Sequence, residues 1–352
     1  MNIFKYRGWQ RGLLPLSLLY GLVIWIRNRL YDKEILRSIK IENCQIISVG
    51  NISVGGTGKT PVISFLAKYL AKRGFKVAVL SRGYGRKSQG TIVVSDGKNL
   101  MTDVKQGGDE PYLLARQLPT IPVVVEADRV KGAEFIQQNF HPDFILLDDG
   151  FQHRRLKRNL DIVLIDASVG FGSGYLLPAG FLREPISSLS RADLIWLSRV
   201  DQAKNLEKLI QQIRNHSQSP IITSIHQPAA IVKSSADQQF EASAIREKRV
   251  LLFSGIANPL SFERTVQSLG GVIVHHKCYK DHYQFTISDI DSIMQLSEQL
   301  DIDLILTTEK DFVRLLPILN PNQQFFYLTI EIRLTAEAQM TLDRSLAFFE
   351  RS

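Results

Sequence analysis

The run Ser53-Val54-Gly55-Gly56-Thr57-Gly58-Lys59-Thr60 has the residue types and order needed to grip a nucleoside triphosphate. Glycines at 55, 56 and 58 let the backbone curl until successive N–H groups point at a phosphate. Lys59 is placed to reach the β- and γ-phosphates, and Thr60 to offer its hydroxyl to Mg2+. This is the Walker A pattern with one departure: Ser53 stands where the first glycine is usual. Serine fits there if its backbone angles are ordinary. A merely flexible glycine loop explains neither the Gly-Lys-Thr order nor the apolar run before it and the amphipathic segment after it. Further along, Phe144-Ile145-Leu146-Leu147-Asp148-Asp149 reads as an apolar strand ending in carboxylates, the Walker B form that sets an acid beside the metal.

Other groups carry less by themselves. Gly107-Gly108-Asp109-Glu110-Pro111 reads as a loop entering a helix, where the plain role of Asp109 is an N-cap. Asp281-His282 reads as a solvated or structural pair. Three arginine-bearing loops lie near strand ends: Ser81-Arg82-Gly83-Tyr84-Gly85-Arg86, Gln152-His153-Arg154-Arg155 and Leu182-Arg183-Glu184-Pro185. They suit an anionic substrate or a leaving phosphate, since arginine binds phosphate bidentately, and they equally fit solvated basic loops. Leu197-Ser198-Arg199-Val200-Asp201 resembles the guanine-reading N-K-x-D motif with two changes. It supports the competing reading, a membrane-associated P-loop GTPase involved in targeting.

These groups need a parallel sheet to position them. From residue 45 short apolar runs alternate with amphipathic segments, as in successive βαβ units. Strands are expected at 46–49, 76–80, 122–125, 144–147, 162–165 and 194–197, with a helix over 61–72. Near 221–225 the chain is expected to leave this sheet through a polar stretch, 233–247. A second series follows, with strands at 250–253, 272–275 and 304–306 and helices over 259–269 and 288–300. The fold class is therefore α/β, a P-loop-type, mostly parallel sheet flanked by helices. The chain of 352 residues divides into an N-terminal membrane-associated helical segment (1–40), a core domain (41–230) and a smaller α/β domain closing over the site (231–352).

The net charge is +8, and residues 1–40 hold most of it: Lys5, Arg7, Arg11, Arg27, Arg29, Lys33, Arg37 and Lys40 against Asp32 and Glu34. Between Arg11 and Arg27 runs GLLPLSLLYGLVIWI, shorter than the roughly 20 apolar residues of a comfortable span. With Trp9, Tyr20, Trp25 and the arginines at headgroup level it suits an interface with an anionic membrane surface. A buried helix is the plainer alternative. A basic, nucleic-acid-dependent ATPase is disfavoured because the charge sits in an apolar N-terminus. No nucleic acid and no obligate protein partner is implied. Cys44 and Cys278, the two cysteines, lie outside any C-x-x-C spacing, which argues against a disulfide framework or a zinc site.

Taken in order, the motifs resemble a family. Val49-Gly50-Asn51, Gly55-Gly56-Thr57-Gly58-Lys59-Thr60-Pro61, Ser81-Arg82-Gly83-Tyr84-Gly85, Gly108-Asp109-Glu110-Pro111 and Asp148-Asp149-Gly150-Phe151-Gln152-His153 are similar to those of tetraacyldisaccharide 4′-kinases, the lipid A 4′-kinases. The resemblance continues through Leu177-Pro178-Ala179-Gly180, Leu182-Arg183-Glu184, Gly255-Ile256-Ala257-Asn258-Pro259, Asp281-His282 and Thr308-Glu309-Lys310-Asp311. It implies transfer of the γ-phosphoryl group of ATP, with Mg2+, to the 4′-hydroxyl of an acylated glucosamine disaccharide 1-phosphate lipid. The product would be lipid IVA, made at the cytoplasmic face of the bacterial inner membrane. It further implies Asp109 and His282 as a catalytic pair. Asp148 or Asp149, together with Glu184, would be the magnesium carboxylates, and Arg183 a phosphate-binding arginine. Phe181 and Tyr283 depart from the family's usual residues and bear on fine substrate fit.

Overall fold

The computed structural model describes residues 12–234, 238–320, 323–347 and 349, so Lys5, Arg7, Trp9 and Arg11 lie outside the described residues. An N-terminal helix, α1 (Leu14–Asp32), precedes the first strand–helix series. That series contains β1 (Gln45–Asn51), α2 (Lys59–Lys72), β2 (Val77–Ser81), β3 (Ile92–Asp96), α3 (Val104–Gly107), α4 (Asp109–Gln117) and β4 (Pro122–Val125). It continues with α5 (Arg129–Phe140), β5 (Phe144–Asp148), β6 (Leu160–Asp166), β7 (Leu194–Ser198), α6 (Leu206–Arg214) and β8 (Ile221–Lys233). The second series is β9 (Gln238–Glu241), β10 (Arg249–Ser254), α7 (Pro259–Ser268), β11 (Val272–Cys278), α8 (Ile287–Gln299), β12 (Leu304–Thr308), α9 (Glu309–Leu315), β13 (Phe326–Leu334) and α10 (Ala336–Ala347).

All thirteen strands of the described residues join in one sheet, in the order β11-β10-β12-β13-β8-β7-β6-β1-β5-β2-β4-β3, with β9 paired to β8. Pairing is parallel except at β3/β4, β8/β13 and β8/β9. β2, β5, β6 and β7 are buried on both faces, which is why they read as continuous apolar runs rather than alternating ones. Period-2 geometry sorts their side chains. Phe144 and Leu146 of β5 pack with Val62, Leu66 and Leu70 of α2, while Ile145 and Leu147 pack with Val130, Ala133 and Ile136 of α5. The second series repeats this division: Val250 and Leu252 meet α7, and Leu251 and Phe253 meet α8.

The junction differs from the expected exit near 225. β8 runs on for 13 residues: Ile221–Thr223 pair with β7, and the strand from Ser224 onward pairs antiparallel with β13. One strand therefore belongs to both series. Pro228 sits where the β8/β13 register shifts, the kind of irregularity that lets proline lie inside a sheet. The chain then returns: Ala338, Leu342 and Leu346 of α10 pack into the cluster formed by α2 and the first-series strands.

α1 lies against the first series by one face. Ser17 Oγ donates to Leu176 O (3.0 Å), and Tyr20 Oη donates to Arg183 O (2.9 Å). Its opposite face leaves Leu16, Leu18, Leu19, Leu22, Val23, Trp25 and Ile26 exposed, Leu18 by 76%. Among the described residues no helix is long and apolar enough to cross a membrane.

Candidate active site

β1 lies at the centre of the first series, with β5 on one side and β6 on the other. In such a sheet the crevice at the carboxyl end of the central strand is the natural binding place. The phosphate-binding loop leaves β1 there. Its curl is fixed by Gly55 (φ +111°) and Gly58 (φ +88°). At Gly58 a side chain is excluded twice, by the left-handed φ and by the ring of His226, which a Cβ would meet at 2.7 Å. Ser53 has no positive φ and forms an isolated bridge to Leu182, so serine satisfies the first position. Asn51 Nδ2 donates to Thr57 Oγ1 (2.9 Å), and Ser198 Oγ to Thr57 O (2.9 Å). Val54 N donates to Phe181 O (2.8 Å) and Arg183 N to Ile52 O (2.7 Å). The loop is thus pinned from β7 and from the 176–183 segment before any ligand arrives.

The loop opens into a cleft of about 830 Å³ lined by residues of both series. Ser53 and Glu184 are absent from its lining, whereas Val54, Gly55, Gly56, Thr57, Gly58, Lys59, Thr60, Asp109, Asp148, Asp149, Arg183 and His282 belong to it. Lys59 Nζ stands 3.4 Å from Asp149 Oδ1, and Arg183 Nη1 2.7 Å from Asp149 Oδ2. Burial pushes the Asp149 carboxyl up, but Lys59 and Arg183 outweigh it and hold that carboxyl well below the usual range. Asp148 is the opposite case. Burial first, then the charges of Glu110 and Asp149, raise it to about 6. Ser81 Oγ donates to its Oδ2 (2.7 Å), while Oδ1 is buried with no partner among the described residues. A cation is the group that would satisfy that oxygen and return the carboxyl to its charged form, so the residues present fit Mg2+.

Glu184 does not join this group. It is fully buried, with Asn28 Nδ2 at 2.9 Å, Arg191 Nη2 at 2.7 Å and Arg27 Nη2 at 3.4 Å. Both carboxylate oxygens are therefore spent on tying α1 to the segment that carries Arg183.

Asp109 opens α4, and His282 comes from the loop after β11, yet Asp109 Oδ2 lies 3.6 Å from His282 Nδ1. His282 holds a left-handed backbone (φ +58°), and its N–H donates to Gly255 O (3.1 Å). Tyr84, from the Arg82 loop, packs edge-on to its ring. Arg314, Asp311, Lys310 and Glu110 complete this corner. Arg314 Nε donates to Asp109 Oδ2 (2.6 Å), and its Nη1 to Gly255 O (2.9 Å) and Asp311 Oδ1 (2.8 Å). Lys310 Nζ sits 2.6 Å from Glu110 Oε1 and 3.4 Å from His282 Nε2. Burial pushes Asp109 up, but His282 and Arg314 outweigh it and hold it below the usual carboxylate range. The available signal for Arg314 was its i+3 spacing from Asp311 on a helix beginning Thr308-Glu309-Lys310.

Arg82 and His153 also line the cleft beyond Asp148. His153 is lowered to about 4, by burial and then by Arg129 and Arg82, so it is neutral at pH 7. Arg129 is 3% exposed, and its Nε and Nη2 have no partner among the described residues. Arg199, central to the guanine-reading alternative, instead donates to Gly56 O (3.2 Å) and pairs with Asp166 (2.5 Å). That segment braces the phosphate loop.

A family model described as tetraacyldisaccharide-1-P 4′-kinase matches residues 9–347. The chain is 38% identical over 328 residues to a tetraacyldisaccharide 4′-kinase of Syntrophus aciditrophicus, covering 90% of this chain and 87% of that one. It is 37% identical over 338 residues to its namesake in Halothermothrix orenii, covering 91% and 88%. A crystal structure described as "apo" form LpxK from Aquifex aeolicus in complex with ATP superposes with a TM-score of 0.76. Its sequence identity is 33%, and the match spans 97% of this chain and 99% of that one.

Proposed function

The chain belongs to the tetraacyldisaccharide-1-P 4′-kinase family, and from that premise we infer the transfer it carries out and the residues that perform it. It is an ATP-dependent kinase of lipid A biosynthesis, moving the γ-phosphoryl group to the 4′-hydroxyl of a tetraacyl glucosamine disaccharide 1-phosphate to give lipid IVA. The observation that carries the residue assignment is the approach of Asp109 and His282 to 3.6 Å beside the cleft that Lys59 lines. The GTPase alternative is not favoured.

Phosphoryl transfer demands positioning and charge neutralisation more than covalent work. The amides from Val54 to Thr60 and the Lys59 ammonium hold the triphosphate. Thr60 Oγ1 and Asp148, with Asp149 beside them, would hold Mg2+, which supplies charge neutralisation on the β- and γ-phosphates. When nucleotide enters, Lys59 exchanges Asp149 for phosphate, and Arg183 keeps Asp149 in place. Asp109 accepts the proton of the 4′-hydroxyl. Both its observed contacts use Oδ2, which leaves Oδ1 for the sugar. A carboxylate held below its usual range is a modest base. That suffices where the hydroxyl proton leaves late, in a loose transition state. His282 orients Asp109 and the hydroxyl. Arg82, on the cleft wall, offers a guanidinium to an anionic group of the substrate.

α1 places this chemistry at a lipid surface. Its inner face carries Tyr20, Ile24 and Arg27 into the cleft wall, and its outer face presents the exposed leucines and Trp25. The acyl chains can stay in the bilayer at the cytoplasmic face while the sugar reaches Asp109. Incubation with ATP, Mg2+ and an acylated disaccharide 1-phosphate should add one phosphate by mass spectrometry, at the 4′ position. Hydrolysis of ATP without a phosphorylated lipid would overturn the reading.

A further inference from the structure

The outer edge of the second series holds three side chains that phosphoryl transfer leaves unused. His276 and Cys278 lie two residues apart on β11, the terminal strand of the sheet, so both point to one face. α7 supplies Glu263 to the same place. One imidazole nitrogen, the thiol sulfur and one carboxylate oxygen all lie within 4.8 Å of one another. His276 Nδ1 is 2.6 Å from Glu263 Oε1, and its other ring nitrogen, Nε2, is 2.8 Å from the Oγ of fully buried Ser254. The His276 side chain is 5% exposed, while Cys278 reaches solvent.

We propose that Glu263, His276 and Cys278 bind one divalent cation of the borderline-soft class, with Zn2+ as the type, water completing the coordination. The donor set selects the class: a thiolate and an imidazole suit Zn2+ or Co2+ and do not suit Mg2+ or Ca2+, which take oxygen. The Ser254 contact has the form of the outer hydrogen bond that orients metal-bound imidazoles, with Nε2–H donating and Nδ1 left as ligand. Bonds of 2.0–2.3 Å need ligand atoms roughly 3.3–3.8 Å apart, so the three must redistribute by about 1 Å. Cys278, exposed at the strand end, has the freedom to do so. Burial and the neighbouring Glu263 charge raise the thiol above its ordinary range, so the site without cation holds a protonated thiol. Cation binding forms the sulfur–metal bond and releases that proton to solvent. Sequence spacing hid the site because Glu263 arrives from a separate element. Occupancy would clamp α7 to β11 beside Ser254, whose neighbour Gly255 takes the His282 and Arg314 hydrogen bonds.

The test is a titration of tag-free, metal-stripped, full-length protein with Co2+ in excess Mg2+, without nucleotide or lipid. Its outcome is thus separate from the kinase reading. The expected result is one equivalent bound, with a near-ultraviolet thiolate-to-cobalt band that Zn2+ abolishes by displacement. Zn2+ should also slow the reaction of Cys278 with a chromogenic disulfide reagent by at least about 10-fold. Cys44 is buried and does not compete in that assay. Cys278→Ser should lose the band, and Glu263→Gln, which removes a coordinating carboxylate, should weaken binding by at least the roughly 10-fold of a lost outer partner. No band in the wild type at saturating Co2+, or a band that survives in Cys278→Ser, overturns the proposal.

Discussion

Three carboxylates within one cleft are shifted in two directions by their neighbours, Asp109 and Asp149 down and Asp148 up, and each shift has a consequence. Asp148 has the sign that matters most for pH. Its folded carboxyl, near 6, lies above the ordinary 3.8, so the folded chain binds the extra proton. Without Mg2+, stability from this group falls as pH rises from about 4 to 6, the reverse of a paired carboxylate. Asp148→Asn should therefore raise the Tm of Mg2+-free protein at pH 8, on the order of 1–2 °C for each kcal/mol relieved. The gain should shrink as pH approaches 5, and Mg2+-dependent turnover should be lost. A variant melting below wild type at pH 8 would remove the strained-carboxyl account. Lys59→Ala should cut kcat by at least about 10²–10³-fold, the scale of losing one charged stabiliser, with an unchanged circular dichroism spectrum. Retention of most activity would exclude Lys59 from the transfer. Asp109→Ala and His282→Ala should each depress kcat strongly, and the double variant should be little worse than the worse single one. Multiplicative losses would assign His282 to independent substrate binding. Lys59 and Thr60 could be read from sequence because their motif is contiguous. Arg314 could not, because its partners come from α4, from Gly255 and from its own helix.

Single elements were legible where their residues alternate or repeat without interruption. β4 is found at its expected bounds, and β1, β5, β6 and β7 extend only a few residues beyond theirs. The expected exit near 225 falls inside β8, which runs on to Lys233, and the register shift against β13 is what makes Pro228 admissible there. α1 shows why an apolar run can be ambiguous. It packs by Ser17, Tyr20, Ile24 and Asn28 while leaving its leucine face uncovered, so the buried and interfacial readings each describe one side. Deleting the helix would strip Asn28 and Arg27 from buried Glu184, mixing anchoring with folding. Substituting the outer face separates them. Leu18→Glu with Leu22→Glu should lower sedimentation with anionic vesicles at least about 10-fold, each charge placed at the interface opposing burial of apolar area. ATP binding should stay at the wild-type level. Equal partitioning of variant and wild type over a salt series would mean that lipid is met elsewhere.

At the scale of the whole chain, the expected boundary near residue 230 falls inside β8, which gives its first residues to β7 and the rest to β13. The last helix deepens this sharing, because α10 follows the second series yet seals the first. Leu342 is fully buried among Val62, Leu66 and the strands behind the phosphate loop. No local pattern in the last residues could announce such a return, since an amphipathic helix does not name the surface it will cover. The arrangement bears on catalysis, because Asp109 and His282 come from different series and stay 3.6 Å apart only while both are registered on one sheet. Cooperative unfolding should follow. Leu342→Ala should cost about 2–5 kcal/mol, as large-to-small changes at fully buried sites do. That loss should appear in the first series, although the substitution lies in the last helix. Buried Trp196 reports on the first series, and far-ultraviolet circular dichroism on the whole chain. In urea, with both signals followed, the two transitions should coincide in the wild type and move together in the variant. A Trp196 transition that moves to lower urea while part of the dichroism change stays put would show that the two series unfold separately, and a shared strand would then not suffice to hold the Asp109–His282 pair together.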